Sequence, residues 1–555
     1  MEKQNVINKL GFERAVDIDS AHNLSVFQRD IIEQTKKFEI DKIYFSQDGS
    51  NSFPAVFIKN VTAFDSPTLK LIAEIHQKAW NYKKVLFLYV YSETEIRIYN
   101  CSETPIFKNR KTNIEEELKE KELISCKLSD NEKLERLITV FSAVAIDTGV
   151  IWTIQEAGEY RNKINLKRRV DRYLVDSLTI ASQKLIADGL EIALVHRLIL
   201  RSLFLLYLED RGATGKDFYI AIKDNAQSYF DILEDVEATY SLFEKLKNDF
   251  NGNVFSVEEW EHEKVKKEHL AIIRQCFLSG YIATPLYPNW RIFDFSIIPI
   301  ELISQIYENF LSKVNVKQKR QSGVFYTPLS LVELILNEKL PTDKSHTKYD
   351  MKILDPACGS GIFLVESFKR LVKRYENAHN IEKLTDFETL KNLLTDNIFG
   401  IDCDSNAIKV ATFSLYLALV DCLDPKTLWQ GNKLPFLIND PEDTMLKEKG
   451  KNLYKRDTIE KNDEIEAVAF DLVIGNPPFG TTDLPDSVRN YCIKYGFAKE
   501  MVLPFLHKAA QFAPNGDIAF IFNTKILTNT GSTYQNFRKW LMQDCYVEKL
   551  YNFSI

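Results

Sequence analysis

The stretch that most constrains the fold of this 555-residue chain is a short apolar run, MKILD (Met351–Asp355), that leads straight into PACGSG and then into a helix-forming run from Ile362. A strand ends at an acid, a loop carrying Gly359 and Gly361 follows, and a helix begins. In a doubly wound sheet, ligands bind at the carboxyl ends of the strands. Glycine lets such a loop turn tightly and approach a ligand without a Cβ clash. The alternation continues downstream. NIFGID (Asn397–Asp402) reads as the next strand, and a helix follows through Leu423. Further strands are expected at Leu434–Asn439, Phe470–Ile474 and Asp517–Asn523. Strands alternating with helices predict an α/β, Rossmann-like parallel sheet covered by helices on both faces.

The loop is not a phosphate-binding P-loop, because G-x-x-x-x-G-K-[ST] is absent, and it is not the dinucleotide G-x-G-x-x-G. An acid before it would repel phosphate. It suits a cationic amino group, such as the methionine end of S-adenosyl-L-methionine. Asp402, at the end of the next strand, stands where a carboxylate accepts hydrogen bonds from ribose hydroxyls. Asp404, two residues on, is positioned to cap the following helix instead. The third element is FDLVIGNPPFG (Phe470–Gly480). Pro477 and Pro478 fix the backbone and remove donors. The Asn476 amide oxygen and the Pro477 carbonyl together suit both hydrogens of a planar aromatic amine. Phe479 can stack on a base.

The rest of the chain is less specific. Three segments are expected: a small N-terminal α/β domain over 1–115, a helical domain over 116–312, and a catalytic domain over 313–555. VLFLYVYS (Val85–Ser92) and EIRIYN (Glu95–Asn100) predict a hairpin. Arg161, Lys163, Lys167, Arg168, Arg169 and Arg172 form a basic cluster, read as a solvated helix face or as a DNA-backbone contact. The net charge of −7 gives no global basic character that would mark a nucleic-acid coat. Eight scattered cysteines include no C-x-x-C pair, which suits a reducing compartment. His262 and His269 lie in the charged run EEWEHEKVKKEH, read as a solvated helix surface, and no metal site is expected. No apolar run reaches membrane-spanning length. With no signal peptide evident in MEKQNVINKLGFERAVDIDS, a cytoplasmic protein is expected.

Taken together, DPACGSGIFL, NPPF and GVFYTP (Gly323–Pro328) resemble the gamma-type N6-adenine DNA methyltransferases. FDFSIIPIELISQIYENFL (Phe293–Leu311) and LLYLEDRG (Leu205–Gly212) resemble the helical region of type IIG restriction–modification enzymes. The resemblance implies S-adenosyl-L-methionine as cofactor, double-stranded DNA as partner and a flipped adenine as target. It implies that Tyr326, Thr327 and Pro328 line the methionine side of the cofactor. Asp355, Gly359 and Gly361 would hold its amino acid moiety, with Pro356 and Ala357 of the same loop in the site. Asp402 would take the ribose, and Asp440 would approach the adenine ring. Asn476, Pro477, Pro478 and Phe479 would hold the target base. The activity expected is that of a site-specific DNA adenine-N6 methyltransferase in a restriction–modification or phage-defence system.

Two departures qualify the resemblance. An N-terminal nuclease would need an aspartate and then an acid-x-Lys on a neighbouring strand to hold magnesium. Asp48 precedes PAVFIK (Pro54–Lys59), but that strand ends Phe57-Ile58-Lys59, with Phe where the acid should stand. A nuclease-like, inactive domain is expected. At the other end, the resemblance implies a seven-stranded sheet whose final strand inserts antiparallel between the fifth and sixth, with a recognition domain after it. The sequence stops at YVEKLYNFSI, so a further segment or a partner subunit is expected to supply both. Two alternatives stay open: methylation of a protein glutamine or RNA, and a catalytically idle subunit that helps a partner bind DNA.

Overall fold

The computed structural model describes residues 6–19, 24, 26–48, 51–105, 113–250, 255, 257–280, 291–303, 306, 310, 327–429, 431–443, 446 and 448–553. The chain packs as two units. One comprises Met1–Ser202 and Lys267–Leu302, the other Leu203–Lys266 and Ile303–Ile555.

The first unit is built on a six-stranded sheet in chain order: β1 (Val16–Asp17), β2 (Lys42–Asp48), β3 (Asn51–Asn60), β4 (Phe87–Tyr91), β5 (Glu95–Asn100) and β6 (Glu122–Lys127). β4 and β5 form the expected antiparallel hairpin. β3 and β4 run parallel, so a crossover must join them, and the helix Ser66–Tyr82 provides it. Asp65 caps that helix by accepting from Thr68 N at 3.0 Å. Alternate residues face opposite ways along a strand. Tyr44, Val56, Ile58 and Tyr89 therefore join one core with Leu137 and Phe141. Ile43, Phe57, Leu88 and Val90 join another with Ile72, Ile75 and Tyr82. Both faces are covered, which explains the nearly continuous apolar run in β4.

This sheet extends past residue 115, because β6 pairs with β5. The lysines, glutamates and lone leucine ahead of β6 carry no strand signal. The basic cluster is largely absorbed locally. Arg161 donates to the Ile151 and Ile154 carbonyls, Arg169 donates to the Lys83 carbonyl, and Arg168 pairs with Glu103 at 2.8 Å. The reading of His269 as solvated is corrected. It is buried, and its ring bonds Asp188 at 2.9 Å. It lies on the inner face of the helix Lys267–Leu278, not in one charged helix with His262.

The second unit holds a sheet in the order β12-β11-β7-β8-β10-β9, all pairs parallel. Its strands are β7 (Ile353–Asp355), β8 (Ile398–Asp402), β9 (Ile438–Asn439), β10 (Leu453–Lys455), β11 (Leu472–Gly475) and β12 (Asp517–Phe520). The helices Ile362–His379 and Ser405–Cys422 pack against β7 and β8, and Val502–Phe512 packs against β12. The parallel α/β reading therefore stands. The strand expected at Leu434–Asn439 shrinks to two residues at the sheet edge. β10, between β8 and β9, was not anticipated. It is three residues long and flanked by charged residues, so it carries no apolar run. Leu203–Lys266 also packs here. Tyr207 donates to Asp421 at 2.9 Å, and Leu434 N donates to the Phe250 carbonyl at 3.2 Å. The strand-like Tyr546–Phe553 pairs with no strand among the described residues. It follows the helix Ser532–Asp544, and Lys549 and Tyr551 bond Glu338. Among the described residues, no helix is long and apolar enough to cross a membrane.

Candidate cofactor and target-base site

The carboxyl ends of β7, β8, β10 and β11 open onto one cavity of about 640 Å³. That size suits a cofactor-scale ligand, since such sites run from roughly 300 to 1,000 Å³. The strands place their last residues side by side because the sheet is parallel. Helix N-termini follow β7 and β8 at the same end.

Asp355 closes β7. Its side chain is buried, and one carboxylate oxygen accepts from Ala357 N at 3.0 Å. Burial pushes its carboxyl up to about 8. The Ala357 bond opposes that, and the nearby Asp402 charge adds to it. A carboxyl desolvated this strongly gains most when a cation comes beside it. Gly361, at φ +83°, precedes the helix Ile362–His379, and a Cβ there would meet Ala411 at 3.0 Å. Glycine thus allows the two helices behind the loop to approach closely.

Asp402 closes β8. Its oxygens accept from Gly359 N at 3.0 Å and Asp404 N at 2.8 Å, which ties the cofactor loop to the next strand end. Burial raises its carboxyl to about 6, and those backbone bonds oppose the shift. Asp404 caps the helix Ser405–Cys422 by accepting from Asn406 N at 2.9 Å. Asp404 thus caps a helix as the sequence suggested, and it lines the cavity beside Asp402 as well.

Asn476 follows β11. Its Nδ2 donates to Thr327 Oγ1 at 3.0 Å, while its Oδ1 is buried and accepts no hydrogen bond. An orphan buried acceptor is rare and costly, about 1–3 kcal/mol, unless a ligand satisfies it. Pro477, Pro478 and Phe479 continue the wall, which Val488 and Phe505 extend on the apolar side.

The cavity thus brings together Thr327, Asp355, Pro356, Ala357, Gly359, Asp402 and the segment Asn476–Phe479. Tyr326 lies outside the described residues. Pro328 is exposed at the start of the helix Leu329–Lys339, away from the lining, and Gly361 lies behind it. Asp440 is also outside the lining. Its carboxylate accepts from Ser405 Oγ at 3.1 Å and Glu442 N at 3.0 Å. A further acid that lines the cavity is Asp457, just after β10, held by Ile459 N and Ser487 Oγ. Sequence reasoning missed it with its strand. The signal available was the strand-then-acid pattern NLYKRD.

Residues 396–555 match the Eco57I restriction-modification methylase family. The relatives found by sequence are restriction–modification methyltransferases. The type II restriction enzyme and methyltransferase RM.Eco57I of Escherichia coli is 26% identical over 360 residues, covering 57% of this chain and 35% of the relative. The adenine-specific methyltransferase PglX of Streptomyces coelicolor is 23% identical over 184 residues, covering 29% and 15%. The chain therefore spans about a third or less of the length of these relatives. Among solved structures, the type IIG restriction endonuclease BpuSI aligns at 13% identity with a TM-score of 0.39, over 93% of this chain and 52% of that one. A likeness at that score carries no argument of its own. The fold rests on the parallel sheet described above.

Proposed function

We propose that this chain is a DNA adenine-N6 methyltransferase of a restriction–modification or phage-defence system, with S-adenosyl-L-methionine as cofactor and double-stranded DNA as partner. The observation that carries this reading is the buried, unpartnered Asn476 Oδ1 in the same cavity as the strand-end acids Asp355 and Asp402.

The residues present fit the cofactor. A desolvated Asp355 suits its ammonium, Asp402 its ribose hydroxyls and Asp457 the amino edge of its adenine. Thr327, Pro356, Ala357 and Gly359 form the surrounding wall. When bound, the cofactor supplies a methyl group activated by its sulfonium sulfur. The chain's part is to bind and orient. Asn476 Oδ1 and the Pro477 carbonyl accept the two hydrogens of the target amine. Those bonds pull the nitrogen toward a tetrahedral shape and expose its lone pair, and they strengthen as positive charge develops there. Phe479, Val488 and Phe505 offer apolar surface to a base that has left the duplex, an excursion costing a few kcal/mol. Residues 1–115 are nuclease-like and inactive in this reading.

The test is to incubate the purified chain with S-adenosyl-L-methionine and bacteriophage lambda DNA, then digest and measure nucleosides by mass spectrometry. N6-methyladenine is the expected product. N4-methylcytosine, or methylation only of added protein or RNA, would overturn the base assignment.

A further inference from the structure

The two ends of the Asn476 amide are nearly isosteric, and the terminal torsion of such a side chain is broad and roughly two-fold. Its two orientations offer opposite chemistry. One presents an acceptor to the cavity, the other two donors. Only the first can receive hydrogens from an aromatic amine. Something must therefore select it.

The local chain is poorly equipped to do so. Pro477 and Pro478 have no N–H to offer the oxygen. The partner comes instead from 149 residues upstream: Asn476 Nδ2 donates to Thr327 Oγ1 at 3.0 Å. Thr327 is buried at the cavity wall. Its branched side chain is stiff about χ1, so the hydroxyl is held in place.

We propose that Thr327 is a positioning residue, whose hydroxyl accepts from Asn476 Nδ2 and so holds Oδ1 toward the target amine. This inference rests on the reading of Asn476 as the acceptor for that amine. It assigns the Thr327 hydroxyl to the catalytic amide. Without the hydroxyl, Nδ2 loses its acceptor whenever Oδ1 faces the substrate. The amide then turns its donors toward whatever acceptor the cavity offers, and the productive orientation is depopulated.

Three variants separate this role from its rivals. Thr327→Val keeps the shape and removes the acceptor. Thr327→Ser keeps the acceptor on a looser side chain. Asn476→Ala removes the donor. Each is assayed in the full chain for methyl transfer from tritiated S-adenosyl-L-methionine to bacteriophage lambda DNA, and for cofactor affinity by calorimetry. Thr327→Val should lower kcat roughly 10- to 100-fold, the cost of one unsatisfied buried donor, with cofactor Kd unchanged. Thr327→Ser should recover most of that loss. In thermal unfolding, Thr327→Val should lower Tm in the parent background and have no effect beside Asn476→Ala. A raised cofactor Kd with unchanged kcat at saturation would mean that the hydroxyl holds the cofactor instead, and would overturn the inference alone. Equal Tm losses in both backgrounds would do the same. Transfer to added protein or RNA and not to DNA, with cofactor bound, would overturn the functional reading and this inference with it.

Discussion

A side chain at Gly475 would collide with the carboxylate of Asp355: a Cβ built there stands 2.6 Å from Asp355 Oδ1. β11 and β7 are neighbours in the sheet, with Val473 opposite Leu354, so Gly475 comes one residue past the level of Asp355. The glycine ahead of NPPF thus leaves room for the acid ahead of the cofactor loop. Gly475→Ala should displace that carboxylate and weaken cofactor binding, at a stability cost of about 1–3 kcal/mol from overpacking. Calorimetry and thermal unfolding would show both together. Wild-type affinity in Gly475→Ala would mean that Asp355 does not bind the cofactor.

That relationship also shows what was legible in the sequence and what was not. MKILD, NIFGID and FDLVIG each carry an apolar strand that ends at the cavity, and all three appear as adjacent strands. β10 escaped because Leu453–Lys455 is too short to show a period and sits among lysines and arginine. With it went Asp457, and Asp440 took its place in the sequence reading. The Asn476–Thr327 bond was invisible for a different reason. Its partners belong to separate motifs, and only the packed sheet edge brings them together. His269 misled because a histidine in a charged run looks solvated, whereas helix phase alone decides which side it faces.

The buried acids give a pH dependence with a definite sign. An unfolded aspartate titrates near about 3.9, while burial holds Asp355 at about 8 and Asp402 at about 6 in the folded chain. Over that interval the folded state keeps protons that the unfolded state has lost. Stability of the cofactor-free protein should therefore fall as pH rises from about 4, through the Asp402 value and up to the Asp355 value. A cation beside Asp355 favours its ionised form, so cofactor binding near neutrality should release a proton and tighten as pH rises toward 8. Calorimetry in two buffers of different ionisation enthalpy measures that proton. Asp355→Asn should abolish the release. Binding that releases no proton in the parent chain would show that Asp355 does not receive the cation.

Asp402 already accepts two backbone N–H bonds, from Gly359 and Asp404. Its loss should therefore loosen the cofactor loop as well as remove a ribose acceptor. Asp402→Ala should weaken S-adenosyl-L-methionine binding by about 1.5–3 kcal/mol, the range for a charge-assisted bond. Asp404→Ala should lower helix stability by about 1 kcal/mol and leave affinity nearly unchanged. The reverse ranking in a binding titration would exchange their roles.

Asn476→Ala should cut methyl transfer by roughly 10²–10³-fold, as removal of a preorganised polar group at the reacting centre does. Cofactor affinity should stay close to that of the parent, as the role proposed for Asn476 at the target amine requires. Single-turnover kinetics at saturating cofactor would separate the two effects. Parallel losses of affinity and rate would place Asn476 in the cofactor site instead.

The last expectation concerns DNA cleavage. A magnesium-dependent nuclease centre on β2 and β3 would need a carboxylate two residues before Lys59. Phe57 stands there with its ring fully buried, edge-on to Phe38 at 5.9 Å and stacked near Tyr82 at 6.1 Å. Lys59 itself is engaged, its ammonium 2.8 Å from Asp41. That face of the sheet is therefore spent on packing at Phe57, with Lys59 paired to an acid at the strand end. The purified chain should leave supercoiled plasmid intact in magnesium or manganese. Phe57→Glu should not create cleavage. It should destabilise the first unit instead, since an ionised carboxylate would replace a buried ring between two aromatic neighbours. Reproducible cutting by the parent chain that Asp48→Ala removes would show that the centre is built from other residues.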